Sequence, residues 1–144
     1  MKKILIIWQA PALKKQIFPY DTTMLYNWFE KIWLSKEEAV EFCDFEAMTN
    51  KKPKIWKNWW HIAPWKKEMT EYYNSVLKEK IKNYDKILLL WKCPIKFFWF
   101  EDFFIVEVKK WKTFFTLIHP SKRNILLYRN NKDKILEMLR RVFK

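Results

Sequence analysis

The sequence predicts an α/β domain: an α/β/α sandwich in three layers around a mostly parallel central sheet of about four strands. Three observations carry that prediction. Short apolar runs without polar alternation recur, as in strands buried on both faces. Segments with helically spaced apolar residues lie between them. Residues with capping or turn chemistry separate the two kinds of segment.

Taken in chain order, Lys3 to Ile7 is the first strand. Thr22 to Ile32 reads as a helix that Asp21 or Thr22 can cap, with Met24, Leu25, Trp28 and Phe29 on one face. Ser35 and Glu38 form a capping box for a short helix to Phe42. Phe45 to Thr49 is a second strand, and Lys51 to Pro64 a loop rich in Lys, Pro and Asn. Lys66 to Asn83 is a long helix with a largely apolar stripe of Met69, Tyr72, Tyr73, Val76, Leu77, Lys80 and Ile81. Lys86 to Leu90 is another strand, and Pro94 starts a short helix. Phe103 to Val108 and Thr113 to Ile118 are strands around a KKWK turn, and a last helix runs from Asn131 or Asp133 to about Val142.

A chain of 144 residues fits one domain, 1–144. Half of it is apolar, which excludes a disordered chain. No apolar run reaches the ~18 residues of a membrane span. Ile4 to Trp8 is too short for a signal peptide's apolar region. Two cysteines, Cys43 and Cys93, make no disulfide framework and read as small buried apolar residues. A cytoplasmic monomer without membrane association is expected. The 29 Lys and Arg outnumber 16 Asp and Glu for a net charge of +13, which suits a nucleic-acid partner.

The chain has no glycine and ten tryptophans, where about ten glycines are usual for this length. Eight tryptophans stand where glycine is expected. Trp8 and Trp91 follow strand runs, Trp33 and Trp99 follow helices, and Trp111 lies in a hairpin turn. Trp56, Trp59 and Trp60 lie in the 51–64 loop. Trp28 and Trp65 sit where tryptophan is natural. The expectation is that a parent sequence carried glycine at the eight, and positive φ there is its signature.

Binding sites on parallel sheets lie beyond the carboxyl ends of the strands. Three polar segments fall there: Gln9-Ala10-Pro11, Asn50 with its following loop, and His119-Pro120-Ser121. With Trp8 read as glycine, the segment 8–11 becomes Gly-Gln-Ala-Pro. With Pro19-Tyr20-Asp21, Met48-Thr49-Asn50 and His119-Pro120-Ser121-Lys122-Arg123-Asn124, it resembles the uracil-DNA glycosylase superfamily from Ile4 to about Arg141. Thr49, Asn50, Pro53, Asn58 and Pro64 are most similar to its thermostable iron–sulfur branch. That branch needs four cysteines, and none stands near Asn50 or in the 66–83 helix. No cluster, metal or other cofactor is therefore expected. Ala10 stands where the superfamily often has Asp or Asn, as in a further branch that works without that carboxylate.

The resemblance implies a sandwich of the glycosylase type that excises uracil, or a related deaminated base, from DNA. Breaking the N-glycosidic bond leaves an oxocarbenium-like sugar and an anionic base. By that resemblance His119 donates to uracil O2, while Gln9 and the backbone after Ala10 hold the water. Asn50 pairs with the base edge, Tyr20 stacks on the base, and Pro11 lines the base site. Ser121, Lys122, Arg123, Asn124, Lys51, Lys52 and Lys57 contact DNA. Trp8 puts an indole into the first motif, so impaired activity is expected while the tryptophans are present. Two other readings stay open: a non-enzymatic basic nucleic-acid-binding domain, and a nucleotide-binding α/β protein, which lacks a Gly-rich phosphate loop here. Asp44, Glu46, Glu101 and Asp102 read as solvated acids, and His61 as a surface residue.

Overall fold

A computed structural model describes residues 3–10, 23–51, 54–55, 61–121 and 124–144, with backbone alone at 54–55 and 61–62. The elements are β1 (Ile4–Trp8), α1 (Thr23–Glu30), α2 (Lys36–Phe42), β2 (Cys43–Ala47), β3 (Lys54–Ile55), β4 (His61–Ile62), α3 (Lys66–Tyr72), α4 (Lys78–Ile81), β5 (Lys86–Leu90), α5 (Lys92–Phe97), β6 (Val106–Lys109), β7 (Lys112–Leu117) and α6 (Ile125–Val142). A π-helical turn, Tyr73–Leu77, joins α3 to α4. The fold is mixed α/β.

The main sheet has five strands in the order β2-β1-β5-β7-β6. The first four are parallel, and β6 pairs antiparallel with β7. All five segments read as strands join this one sheet, four of them parallel and β6 as an antiparallel edge. Side chains of successive strand residues point to opposite faces. Ile4, Ile6, Leu88, Leu90, Phe115 and Leu117 thus join one core with Leu25, Trp28 and Phe29 of α1, Ala39 of α2, and Ile135 and Leu139 of α6. Leu5, Ile7, Ile87, Leu89 and Phe114 join another with Leu77, Ile81, Ile95 and Phe100.

Several boundaries move for physical reasons. The Ser35–Glu38 capping box forms in both directions, at 2.8 and 3.1 Å. The helix it starts runs straight into an extended Cys43, so β2 covers Cys43–Ala47 rather than Phe45 to Thr49. The expected strand at Phe103 begins only at Val106. Fully buried Thr116 holds the 102–105 segment instead, donating to Asp102 O at 2.9 Å and accepting from Ile105 N at 2.8 Å. The last helix starts at Ile125 and kinks at Asn131, whose side chain donates to Leu127 O at 2.9 Å. The 51–64 segment includes an antiparallel pair, β3 with β4. The 66–83 helix ends at Ile81.

Asp44 and Glu46 are not the solvated loop acids expected. Both are half-buried on β2. Glu46 accepts from Tyr72 Oη at 2.7 Å and from Lys80 Nζ at 2.9 Å, and Tyr84 donates to Asp44. Burial, then these carboxylates, push both phenols above their ordinary range, so they act as neutral donors. This polar seam docks the 66–81 helical segment on the sheet edge.

Lysines also have structural roles away from any ligand. Lys86 Nζ donates to Val142 O and Lys144 O, both at 2.7 Å, closing the end of α6. Burial, then the charge of Lys3, lowers its pKa. Lys112 Nζ donates to Tyr84 O at 2.6 Å and Lys82 O at 3.1 Å. Both lysines start their strands, at the amino edge of the sheet.

Backbone angles at the tryptophans are uneven. Trp33, Trp91, Trp99 and Trp111 have φ between 65° and 79°. Trp8 lies in β1 and is absent from the positive-φ residues, while Trp56, Trp59 and Trp60 lie outside the described residues. Left-handed backbone costs a residue with a Cβ about 1–2 kcal/mol. Trp33, Trp99 and Trp111 are at least 84% exposed, so indole burial offsets little of that cost.

Glu46→Ala leaves the Tyr72 hydroxyl and the Lys80 ammonium without their shared acceptor. A loss of about 1–3 kcal/mol is expected, read as a lower urea midpoint with unchanged slope.

Candidate functional site

The sheet order puts a topological switch point at the carboxyl ends of β1 and β5. The chain leaves β1 to build β2 on one side, then returns to build β5 on the other, and ligands favour such switch points. Gln9 and Ala10 reach it directly from β1, and both are buried. Their burial follows from the parallel pairing that continues past the strand, where Met48 N donates to Trp8 O at 2.8 Å.

On one flank, the segment after β2 carries Thr49 and Asn50. Thr49 is buried, and its hydroxyl accepts from Lys51 N at 3.2 Å. That local turn leaves Asn50 exposed at the rim. Lys51, expected at phosphate, pairs with Glu68 at 3.4 Å, and its side chain is 75% exposed. Such a pair is weak and leaves the ammonium able to exchange partners.

On the other flank, β7 delivers His119, Pro120 and Ser121. Ser121 N donates to His119 O at 2.9 Å, and Asn124 N donates to Ser121 O at 3.0 Å. The Asn124 amide donates to His119 O at 2.8 Å. Asn124, assigned to DNA by the sequence, thus braces the loop that presents His119. Ser121 is half-buried in that loop.

The central contact of the site is aromatic. The Trp8 indole lies on the His119 imidazole with centroids 3.5 Å apart and planes 18° from parallel. The contact spans the end of β5, which separates β1 from β7 in the sheet. Beside it, Trp91 stacks on Phe103 at 5.3 Å. Gln9, Ala10, Asn50, His119, Ser121 and Asn124 therefore share one sheet edge, with the His119 ring covered by Trp8. Pro11, Tyr20, Lys52, Lys57, Lys122 and Arg123 lie outside the described residues.

One feature of this edge was missed in the sequence. Ile125, Leu126 and Leu127 start α6 at the end of the same loop, and Leu126 is 67% exposed. The sequence carries the signal as an apolar triplet one residue past Lys122-Arg123, but a helix beginning at Asn131 or Asp133 leaves it outside.

Among the described residues no three His, Cys, Asp or Glu gather as metal ligands. None of the described helices is long and apolar enough to cross a membrane. Cys43 is buried. Cys93 Sγ lies 3.4 Å from Met69 Sδ, and burial pushes its thiol up to about 12. A thiol so raised stays protonated at neutral pH and is a poor nucleophile. Neither cysteine should react with a disulfide reagent at pH 8 until denaturant is added, and a fast native reaction at Cys93 would contradict this environment.

The chain matches no protein-family model, and no curated protein shows significant similarity to it.

Proposed function

We propose that this chain, in a form bearing glycine at position 8, is a DNA glycosylase of the uracil-DNA glycosylase type. Its substrate is uracil, or a related deaminated base, flipped out of DNA. The observation that carries the reading is the meeting of the Gln9-Ala10, Thr49-Asn50 and His119-Ser121 segments beyond the carboxyl ends of parallel strands. The two cores on opposite sheet faces suit the sandwich of three layers this reading requires.

In the proposed reaction a water held by Gln9 and the backbone after Ala10 attacks C1′ of the sugar. The C1′–N1 bond breaks, its electron pair stays on the base, and the water's proton leaves to solvent. His119 donates to O2, where negative charge grows, and a preformed donor there stabilises the departing anion. The Asn50 amide has one acceptor and two donors, which match the O4 and N3–H edge of uracil. Lys51, beside Asn50 and largely exposed, is available to a phosphate. Exposed Leu126 is placed to enter a base step as the nucleotide leaves the stack.

The Trp8 indole opposes this reaction, because it covers the His119 face a base must approach. The tryptophan-bearing chain is therefore the impaired form. That same cover favours the second reading, a basic domain that binds nucleic acid without chemistry.

The test is alkali-induced strand cleavage of single-stranded and duplex DNA with one uracil. Trp8→Gly should cleave where Trp8 does not. His119→Ala in the Trp8→Gly background should slow cleavage roughly 10²–10³-fold, the usual effect of losing one such donor. Salt-sensitive DNA binding by a folded Trp8→Gly protein, with no cleavage of any deaminated base, would favour the binding domain.

A further inference from the structure

We infer that Trp33, Trp91, Trp99 and Trp111 occupy glycine positions, and that the polypeptide that functions in the cell carries glycine there and at position 8. For the four the argument is independent of the glycosylase reading, whereas position 8 rests on it. The argument for the four rests on four backbone motifs, each of which asks for a residue without a Cβ.

Trp33 closes α1. Leu34 N donates to Phe29 O at 3.0 Å and Trp33 N to Glu30 O at 3.1 Å. This is the Schellman pair of bonds, with Trp33 at its left-handed position, φ 65°. Trp99 closes α5 in the same way. Phe100 N donates to Ile95 O at 3.0 Å and Trp99 N to Lys96 O at 3.1 Å, with φ 67° at Trp99. Ile95 and Phe100 also share a core, which supplies the apolar contact usual for this motif. Nature puts glycine at that position most often, because only glycine avoids the Cβ clash.

Lys110 and Trp111 are the entire loop of a hairpin, since Lys109 pairs with Lys112. Their φ values are 49° and 68°. Two positive φ values in a two-residue loop define the turn that matches strand twist and favours glycine second. Trp91 is the most demanding site. At φ 79° and ψ 170° it sits in a region reached almost only by glycine. It cannot relax freely, because its N–H donates to Leu117 O at 2.8 Å and the next residue begins α5.

Chance does not gather these features. Tryptophan supplies ten of 144 residues but four of the six with positive φ among the described residues. Three of the four indoles are at least 84% exposed, so no packing explains them. No glycine remains elsewhere in the chain, so the replacement is complete rather than a set of separate mutations. Position 8 lacks a positive φ, and its assignment rests on the proposed function: a glycine there removes the indole stacked on His119. Trp28 and Trp65 are the natural tryptophans: Trp28 is buried inside α1, and Trp65 has φ −67°.

The test compares three proteins: the tryptophan chain, one with Gly at 33, 91, 99 and 111, and one with Ala at the same four. Alanine also removes the indole but keeps the Cβ, so the glycine-minus-alanine difference isolates the backbone. The glycine protein should melt about 10 °C or more above the alanine protein, at a few degrees per relieved site. Equal melting, or a higher value for alanine, overturns the inference, and this comparison holds even if the tryptophan chain does not fold. Peptide masses of the protein isolated from its native cells give the second readout. Glycine masses at 8, 33, 91, 99 and 111 are expected, and tryptophan masses there overturn it.

Discussion

The burial of β1 on both faces is the constraint from which the rest of this structure follows. Leu5, Ile6 and Ile7 are wholly inaccessible, and alternate residues feed two separate cores. Each such side chain contributes about 1.5–3 kcal/mol when taken from water. A strand buried on both faces also needs partners on both edges, and β2 and β5 supply them in register from Ile4 onward. That pairing obliges the chain to cross the sheet by helices, which then cover the faces. It also aims the end of β1, and with it Gln9 and Ala10, to the switch point between two neighbouring strand ends.

Polar groups then divide the molecule by role. The β2 edge carries Asp44 and Glu46 inward, where tyrosines and Lys80 satisfy them. Inward charges on an edge strand also discourage pairing with another chain. At the amino ends of β5 and β7, Lys86 and Lys112 hold carbonyl oxygens. Part of the net positive charge is therefore structural.

The loops beyond the carboxyl ends combine tight backbone with aromatic bulk. The Asn124 amide and the Ser121 backbone fix the carbonyl of His119, so the imidazole is presented from a braced loop. Trp8 and Trp91 stand at the ends of the two strands that flank the switch point, and each lies on another ring. Trp8 stacks on His119 with ordinary backbone, whereas Trp91 holds a left-handed φ of 79°.

Much of this was legible in one dimension. Continuous apolar runs marked β1, β5 and β7, because burial on both faces leaves no polar alternation to confuse with a helix. Ser35 and Glu38 marked the start of α2, because a capping box is a local hydrogen-bond pattern. Zero glycines with tryptophan at turn positions foretold left-handed backbone at four of the five described positions, because local motifs set those angles. What the tertiary structure decided were contacts between distant segments. Glu46 reads as a solvated acid until Tyr72 and Lys80, 26 and 34 residues away, close over it. The start of β6 depends on Thr116 across a hairpin, and the position of α6 on its seat against β7. The stack of Trp8 on His119 joins residues from strands that do not touch. Periodicity and local hydrogen bonding specify elements, but only the order of strands in the sheet brings their ends together.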